Sequence, residues 1–265
     1  MGVVNVTPDS FSDGGRWLDR DAAIAHGLAL CAAGAALVDI GGESTRPGAA
    51  RPTEAEELDR VVPVVAGLAA SGAAVSVDTM RAAVAEAALE AGASVVNDIS
   101  GGLADPAMAG VVADAGVDYI AMHWRGHSAD METRAHYDDV VADVCRELVS
   151  RVDALAAAGI APERILLDPG LGFAKTPDHN WALLRRLDAI RGLGHRVVVG
   201  TSRKRFLGAV GRAPGAERPP AERDIATAVT SAYAASAGVW AVRVHDVVGT
   251  LDAFDVVAAM GGGPA

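Results

Sequence analysis

Polar side chains that could bind a ligand or take part in catalysis follow each of eight short apolar runs in this 265-residue sequence. They are carboxylates, amides, hydroxyls, histidines and basic groups at Asn5, Asp39, Asp78, Asn97, Asp98, His123, Asp168, Ser202, Arg203, Lys204, Arg243, His245 and Asp246. One or two polar residues at such positions would be unremarkable. Polar groups after every run, most of them beside Gly or Pro, predict a site for a polar ligand.

These candidate residues fall into two chemical groups. The acceptor group consists of Asp78, Asn97 and Asp168. The anion-binding group consists of Arg46, Arg243, His245 and Asn5. Carboxylate and amide oxygens suit a ligand edge with several N–H groups, such as an aminopyrimidinone. Arginine and histidine suit an anion, and the amide of Asn5 suits an anion accompanied by a metal ion. A flat heterocycle that carries a phosphate is therefore the predicted ligand class.

Lysine and asparagine are rare in this chain. The 23 basic residues comprise 21 Arg and only Lys175 and Lys204, and Asn occurs only at positions 5, 97 and 180. Arg and Lys are not interchangeable at a tight site. The two lysines are therefore candidates for functional positions, whereas Asn180 is interpreted as a surface residue of a helix or loop.

The eight apolar runs must position these groups. The runs are 2–6, 36–40, 74–78, 94–98, 118–122, 164–168, 196–200 and 240–244. Helical patterns separate them, with apolar stripes at Ile24, Leu28 and Cys31, at Leu58, Val61, Val65 and Leu68, and at Tyr137, Val141, Val144, Leu148, Val152 and Leu155. Buried strands that alternate with helices indicate a parallel sheet, and eight such units predict a single-domain (β/α)8 TIM barrel over 1–260, with a frayed tail at 261–265. A doubly wound open sheet is the alternative, but no GxGxxG follows the first strand.

Composition excludes several classes of protein. The formal net charge of −11 argues against a nucleic-acid partner, because a polyanion would be repelled. The sequence contains no run of 18 uncharged apolar residues, so no membrane span is predicted. It does not open with a basic segment followed by an apolar one, so secretion is not expected. Two isolated cysteines, Cys31 and Cys145, suit a reducing compartment, so a cytoplasmic location is expected.

The motifs along the chain resemble those of the dihydropteroate synthase family. In order they are NVTPDSFSDGG from Asn5, DIGGESTRPG from Asp39, SVDT from Ser76, VND from Val96, MH at Met122, DPGLGFAK from Asp168, TSRK from Thr201 and RVHDV from Arg243. The first two are long and specific, and the resemblance runs from the first strand to the last. It implies a (β/α)8 barrel, usually dimeric and inhibited by sulfonamides. It also implies a Mg²⁺-dependent transferase that joins 6-hydroxymethyl-7,8-dihydropterin pyrophosphate to p-aminobenzoate.

The resemblance assigns a role to each matching residue. The pterin ring would be bound by Asp78, Asn97, Asp168 and Lys204. The pyrophosphate would be bound by Asn5, Arg46, Arg243 and His245, with Asn5 also at the Mg²⁺. The p-aminobenzoate pocket would include Thr45, Pro47, Phe173, Ser202 and Lys204. Phe11 and Asp13 would belong to a mobile first loop. The catalytic set would be Asp78, Asp168, Lys204, Arg243 and His245.

The resemblance also sets expectations about the reaction and its rivals. An SN1-like loss of pyrophosphate is expected, because carboxylates can stabilise positive charge that develops on the pterin. A corrinoid-type methyltransferase barrel and a non-catalytic pterin-binding paralogue are the alternatives. Many relatives carry Ser where this chain has Arg205, and relatives usually have a segment upstream of the position of Met1.

Overall fold

Eight short parallel strands form the centre of the molecule. The structure, a computed structural model, describes residues 1–7, 20–43, 51–126, 131–213 and 215–261. The strands are β1 (Gly2–Asn5), β2 (Val38–Gly41), β3 (Val75–Asp78), β4 (Val95–Asp98), β5 (Asp118–Met122), β6 (Ile165–Asp168), β7 (Arg196–Val199) and β8 (Ala241–Val242). Each of the eight predicted runs overlaps a strand, and the predicted (β/α)8 barrel is confirmed.

Strand order and closure distinguish the barrel from the open sheet. Neighbours pair in sequence order from β1 to β8, and every pairing is parallel. The segment that follows β8 then returns to β1, where Val3 donates its N–H to the Val244 carbonyl at 3.1 Å and Val244 donates to the Met1 carbonyl at 3.0 Å. These bonds close the sheet on itself, which the alternative doubly wound sheet would not do.

Helices surround the strands. In the described residues they are α1 (Arg20–Ala32), α2 (Glu54–Ala70), α3 (Ala82–Glu90), α4 (Met108–Ala115), α5 (Val140–Ala157), α6 (Pro177–Arg185), α7 (Leu187–Arg191), α8 (Arg205–Gly208), α9 (Asp224–Ser236) and α10 (Val247–Ala259). A capping box of Thr53 and Glu56 begins α2, as the sequence predicts. Over the described residues, no helix is both long and apolar enough to cross a membrane.

The helical patterns are only partly right. Ile24 and Cys31 pack against the core as predicted, but Leu28 is exposed, because α1 instead buries Ala23, Gly27 and Leu30. Pro63 lies within the second of these stripes and predicts a kink or a split there, but α2 continues through it without a split. Tyr137 precedes α5 rather than belonging to it, although it still packs against the core.

The two faces of the strands carry different cores. Outward-facing residues such as Ile40, Val77, Val96 and Leu167 pack in the large core cluster that includes helix residues. The inward-facing floor of the barrel is a separate cluster of Leu37, Val95, Ile120, Leu166 and Val198. Because side chains alternate along a strand, the residues two positions beyond this floor also point inward, toward the carboxyl ends of the strands.

Candidate active site

The inward face of the strands explains why the predicted site residues converge. Asp39, Asn97 and Asp168 each follow a floor residue by two positions, namely Leu37, Val95 and Leu166. Asp78 likewise follows the buried Ser76 by two positions at the end of β3. The register places Asp78 opposite Gly41 and Asn97. A packed apolar floor therefore carries a polar layer at the end of the barrel where active sites of this architecture lie.

Arg243 holds two carboxylates of this layer together. Its Nε donates to Asp39 Oδ2 at 2.6 Å, and its Nη2 donates to Asp78 Oδ2 at 2.8 Å. Asn97 Nδ2 donates to the same Asp39 oxygen at 3.0 Å. The other oxygen of Asp39, Oδ1, is buried without a hydrogen-bond partner among the described residues. Three strands and the segment after β8 are thus joined by one charged network. The sequence marked Asp39 as polar but did not predict this role.

The network sets an unusual charge state. Burial raises the pKa of Asp78 to about 7, while Arg243 opposes that rise and the nearby carboxylate of Asp39 adds to it. A carboxyl group with a pKa near neutrality can hold or release a proton as its surroundings change. A ligand that donates N–H groups to Asp78 would favour the ionised form.

Asp168 and Lys204 form the second half of the layer. Asp168 accepts a hydrogen bond from the Gly170 N–H at 2.7 Å. A Cβ placed on Gly200 would lie 3.8 Å from Lys204 Nζ and 4.0 Å from Asp168 Oδ2, so the two groups flank the same glycine. Burial raises the pKa of Asp168 and lowers the pKa of Lys204 to about 8, and the attraction between the two opposite charges opposes both changes.

Lys204 also connects this half to an aromatic side chain. Its Nζ donates to the Leu171 carbonyl and lies 4.7 Å from the centre of the Phe173 ring, within the range of a cation–π contact. Gly172 must lack a side chain, because a Cβ there would lie 2.8 Å from Lys204 Cδ. The structure therefore brings together Asp168, Lys204 and Phe173, as the sequence predicted.

The turn after β7 presents Ser202 and Lys204 under constraint. Arg203 has a φ of 59°, a left-handed conformation that is uncommon for a residue other than glycine. Its guanidinium is held by Asp224 at 2.7 and 2.8 Å, and its N–H donates to Thr227 Oγ1 at 3.1 Å. Helix α9 thus fixes the turn.

Ser202 and His245 are direct neighbours. Ser202 Oγ lies 2.8 Å from His245 Nδ1 and also accepts the His245 N–H at 3.1 Å. The sequence assigned Ser202 to the p-aminobenzoate pocket and His245 to the pyrophosphate. The structure therefore brings together two residues that the resemblance assigns to different subsites.

The turn between β6 and α6 is held by Asn180, a residue that the sequence analysis interpreted wrongly. Asn180 is not a surface residue: it is 2% exposed, accepts the Gly172 N–H at 2.7 Å and donates to the Thr176 carbonyl at 2.8 Å. The turn needs this clamp because Gly170, Gly172 and Ala174 all have positive φ. The rarity of Asn in the sequence was the signal that could have identified it.

A second buried network lies beside this turn. Lys175 Nζ contacts His123 Nδ1 at 3.0 Å, and His123 Nε2 contacts Glu147 Oε2 at 3.0 Å. Arg125 Nε donates to the same Glu147 oxygen at 3.1 Å. The sequence left the role of His123 open and did not single out Glu147. Nothing in the pattern of α5 marks Glu147, because its partner His123 comes from the segment directly after β5.

Other predicted residues stand as follows. Asn5 is partly exposed at the end of β1. Arg205 is exposed and paired with Glu217 at 3.1 Å. The predicted residues Phe11, Asp13, Thr45, Arg46 and Pro47 lie outside the described residues, as do 262–265 of the predicted tail.

The described residues contain no group of three or more His, Cys, Asp or Glu side chains that could hold a metal ion. Mg²⁺ bound to a phosphate substrate takes only one or two ligands from the protein and the rest from phosphate oxygens and water. The amide oxygen of Asn5 fits such a ligand set as one donor. It does not fit a metal held by protein groups alone.

Comparison with known proteins agrees with this geometry. Residues 1–245 match the family model described as "Pterin binding enzyme". A dihydropteroate synthase of Mycobacterium leprae is 58% identical over 261 residues, which cover 98% of this chain and 92% of that relative. A dihydropteroate synthase of Xanthomonas albilineans with 4-aminobenzoic acid superposes with a TM-score of 0.90 at 45% identity, covering 99% of this chain and 93% of that one. A Yersinia pestis dihydropteroate synthase with a sulfonamide drug gives a TM-score of 0.91 at 41% identity, covering 99% and 94%.

Proposed function

This chain belongs to the dihydropteroate synthase family of pterin binding enzymes, and we propose a division of labour among its residues for that transferase reaction. The reaction joins 6-hydroxymethyl-7,8-dihydropterin pyrophosphate to p-aminobenzoate and releases pyrophosphate. The observation that carries the proposal is the polar layer on the barrel floor. It holds Asp78 and Asn97 in the Arg243 network on one side and Asp168 beside Lys204 on the other. Neither the methyltransferase nor the non-catalytic alternative is favoured by the comparisons.

The pterin occupies the polar layer. The ring presents an amino group and ring N–H groups along one edge, and carboxylates are the acceptors that suit several donors at once. Asp168, with one oxygen already on the Gly170 N–H, keeps acceptor capacity for the ligand. Asp78 and Asn97 complete the edge, while the Lys204 ammonium suits the polar carbonyl side.

The p-aminobenzoate lies against the turn after β6 and the turn after β7. The Phe173 ring, 4.7 Å from Lys204 Nζ, offers an apolar wall beside a cation, which suits an aromatic ring bearing a carboxylate. Ser202 lies in the adjoining turn. The resemblance adds Thr45 and Pro47 to this pocket and Phe11 and Asp13 to a loop beside it.

The pyrophosphate is bound by Arg243, His245, Asn5 and Arg46, the residues that the resemblance assigns to it. Asp39 and Asp78 accept hydrogen bonds from two N–H groups of Arg243. These bonds fix the guanidinium plane and therefore the direction in which its remaining N–H groups point. Asp39 thus acts through Arg243, because it fixes the plane of the guanidinium before the anion arrives.

The reaction needs positioning and charge more than it needs a base. The amine of p-aminobenzoate is neutral at pH 7, so no strong general base is required. Cationic groups stabilise the departing pyrophosphate, while Asp78 and Asp168 face the positive charge that spreads into the pterin as the C–O bond breaks. This distribution favours an SN1-like displacement.

Mg²⁺ is part of the proposal, with Asn5 as its protein ligand. When bound, the ion would neutralise charge on the pyrophosphate. The test is calorimetric titration of MgCl₂ into the protein with and without pyrophosphate. We expect binding only with pyrophosphate, and weaker binding in Asn5→Leu. Equal Mg²⁺ affinity in the absence of pyrophosphate would contradict this ligand assignment.

The decisive experiment is turnover of the pterin pyrophosphate ester with p-aminobenzoate, followed as dihydropteroate formed. Asp168→Asn keeps the shape of the side chain but turns an acceptor into a donor, and a mispaired buried group costs about 1–3 kcal/mol, or roughly 5- to 150-fold in pterin affinity. Asp188→Asn is the matched control, because Asp188 is exposed on α7 and pairs with Arg186. Absence of turnover in the folded wild type would refute the function, and equal kinetics of the two variants would refute the role of Asp168.

A homodimer completes the proposal. Helices α9 and α10 expose Ile225, Val229, Tyr233, Val248 and Val256 on their surfaces, and Met260 is exposed at the end of α10. A cavity of about 540 Å³ between the two helices is lined by residues of both, including Val229, Tyr233 and Val256. An apolar face of this kind is typical of an association surface, and a second copy of the chain is the occupant that the family resemblance favours. Light scattering should find a dimer, and Val229→Asp should yield a monomer. A wild-type monomer at micromolar concentration would refute the proposed dimer.

A cytoplasmic location is supported by the two unpaired cysteines, Cys31 and Cys145.

A further inference from the structure

The Lys175 amine lies at the candidate active site, yet the proposed reaction gives it no role. Its Nζ donates to His123 Nδ1 at 3.0 Å and to the Phe173 carbonyl at 3.1 Å. Neither acceptor is charged. Within the part of the chain that the structure describes, these two groups are its hydrogen-bond acceptors, and no carboxylate forms an ion pair with it. Burying an ammonium among neutral acceptors alone costs free energy, unless an opposite charge nearby stabilises it.

Asp168 is that charge. The Gly170 N–H donates to Asp168 Oδ1 at 2.7 Å, and a Cβ placed on the same glycine would lie 3.4 Å from Lys175 Nζ. The ammonium and the carboxylate therefore both lie beside Gly170. The backbone ties them further, since the His123 N–H donates to the Asp168 carbonyl at 2.8 Å.

His123 is fixed in one protonation state by its two partners. An ammonium can only donate, so Nδ1 must accept, and the ring proton must lie on Nε2, where Glu147 accepts it. Burial lowers the pKa of His123 to about 4, which agrees with a neutral ring. Arg125 holds the Glu147 carboxylate through both of its oxygens. The orientation of the buried amine therefore depends on a carboxylate of helix α5.

This network passes from the outer surface of the barrel to the pterin pocket. Glu147 is about one third exposed, and it lines a cavity of about 250 Å³ together with Trp124, Arg151 and His123. At the other end, Asp168 faces Lys204, Lys175 and Arg243. The charged groups around Lys175 are Asp168, Lys204, Arg125 and Glu147.

We propose that Lys175 is a positioning residue of the pterin pocket: its ammonium, oriented by His123 and Glu147, keeps the Asp168 carboxylate ionised for the ligand's N–H groups. This inference rests on the proposed function, since it assigns Asp168 to the pterin. Lys204 supplies the other cation, and its amine is directed toward Phe173 and Leu171. Lys175 instead supports Asp168 from the side of the β6–α6 turn.

The direction of the pKa changes agrees with this geometry. Burial raises the pKa of Asp168, and Lys204, the Gly170 N–H and Lys175 all oppose the rise. Burial lowers the pKa of Lys175 to about 7, and Asp168 is the main influence that opposes it. Loss of the Lys175 charge would therefore make Asp168 harder to ionise.

The test compares two variants that loosen the same turn. Lys175→Met removes the charge, whereas Asn180→Ala removes the clamp on Gly172 and changes no charge. Binding of 6-hydroxymethylpterin, which lacks the pyrophosphate, is measured by calorimetry from pH 5 to pH 8.5. Pterin affinity should fall at low pH as Asp168 becomes protonated, and this falling part of the curve is the acid limb. In Lys175→Met we expect the acid limb to move to higher pH by about one unit, so that the affinity at a given pH on that limb falls roughly tenfold. Asn180→Ala should weaken binding without moving the limb.

Two further variants test the route of the effect. Lys175→Arg restores a cation and should return the limb toward its wild-type position, whereas Glu147→Gln should move it in the same direction as Lys175→Met but by less. Circular dichroism confirms that each variant is folded. An acid limb in Lys175→Met that coincides with that of Asn180→Ala would overturn the inference. Because binding needs no turnover, wild type that binds the pterin without forming dihydropteroate would refute the proposed function alone, and absence of pterin binding would refute both.

Discussion

Replacing Asp78 by Asn should make the unliganded protein more stable at neutral pH while it weakens pterin binding. Burial raises the pKa of Asp78 from its ordinary value of 3.8 to about 7. Between these two values the folded protein holds a proton that the unfolded chain has released. The free energy of unfolding of the wild type must then fall as pH rises, by about 1.4 kcal/mol per pH unit between pH 5 and pH 7, or about 3 kcal/mol in total.

The variant lacks this titration, so its unfolding free energy should not show that fall. We expect the two proteins to be similar near pH 4 and the variant to be more stable by about 3 kcal/mol near pH 7.5, measured by urea unfolding across the range. Asp98→Asn is the matched control. Asp98 accepts the N–H groups of Ser100 and Gly102 and the hydroxyls of Ser100 and Tyr119. Burial raises the pKa of Asp98 as it raises that of Asp78, but an amide at position 98 would mispair with these four donors and should destabilise the protein by about 1–3 kcal/mol. Parallel stability curves for wild type and Asp78→Asn would refute the reasoning.

Three further predictions concern the turns and caps that carry the site. Gly172→Ala should raise the KM for both substrates and lower the melting temperature, because the new Cβ would lie 2.8 Å from Lys204 Cδ at a φ of +80°; steady-state kinetics that match wild type would contradict this close approach. Asp224→Ala frees the Arg203 guanidinium and should raise the KM for p-aminobenzoate, with a loss of about 1 kcal/mol in urea unfolding, because the strained turn loses its clamp; an unchanged KM would show that the turn holds its shape without α9. Thr53→Ala removes the capping box of α2 and should cost about 1 kcal/mol of stability at unchanged kcat, so an altered kcat would reveal a link to the site that the structure does not contain.

Local sequence pattern was sufficient for the elements and for most residues of the polar layer. Strands such as Asp118–Met122 have the predicted bounds, and others differ by one or two residues. Asp78 and Asp168 could be predicted because each ends a short apolar run, and the carboxyl ends of parallel strands meet at one end of a barrel. Thr53 and Glu56 likewise form a predictable cap, since the interaction spans three residues.

Contacts between distant segments could not be read from the pattern. Arg243 reaches Asp39 across 204 residues and Asp78 across 165, so its clamp exists only once the barrel has closed. Asn180 looked like a surface residue because its own helix gives no sign that the preceding turn folds over it.

Glu147 of helix α5 is a further example, since its partner His123 comes from the segment directly after β5. Hydrophobic periodicity records which face of an element is buried, but it carries no information about which polar group of another element will lie opposite. The sequence by itself therefore determined the barrel and the set of groups at its mouth. Only the tertiary structure decided how those groups are paired and charged, because pairing depends on the approach of segments that are far apart along the chain.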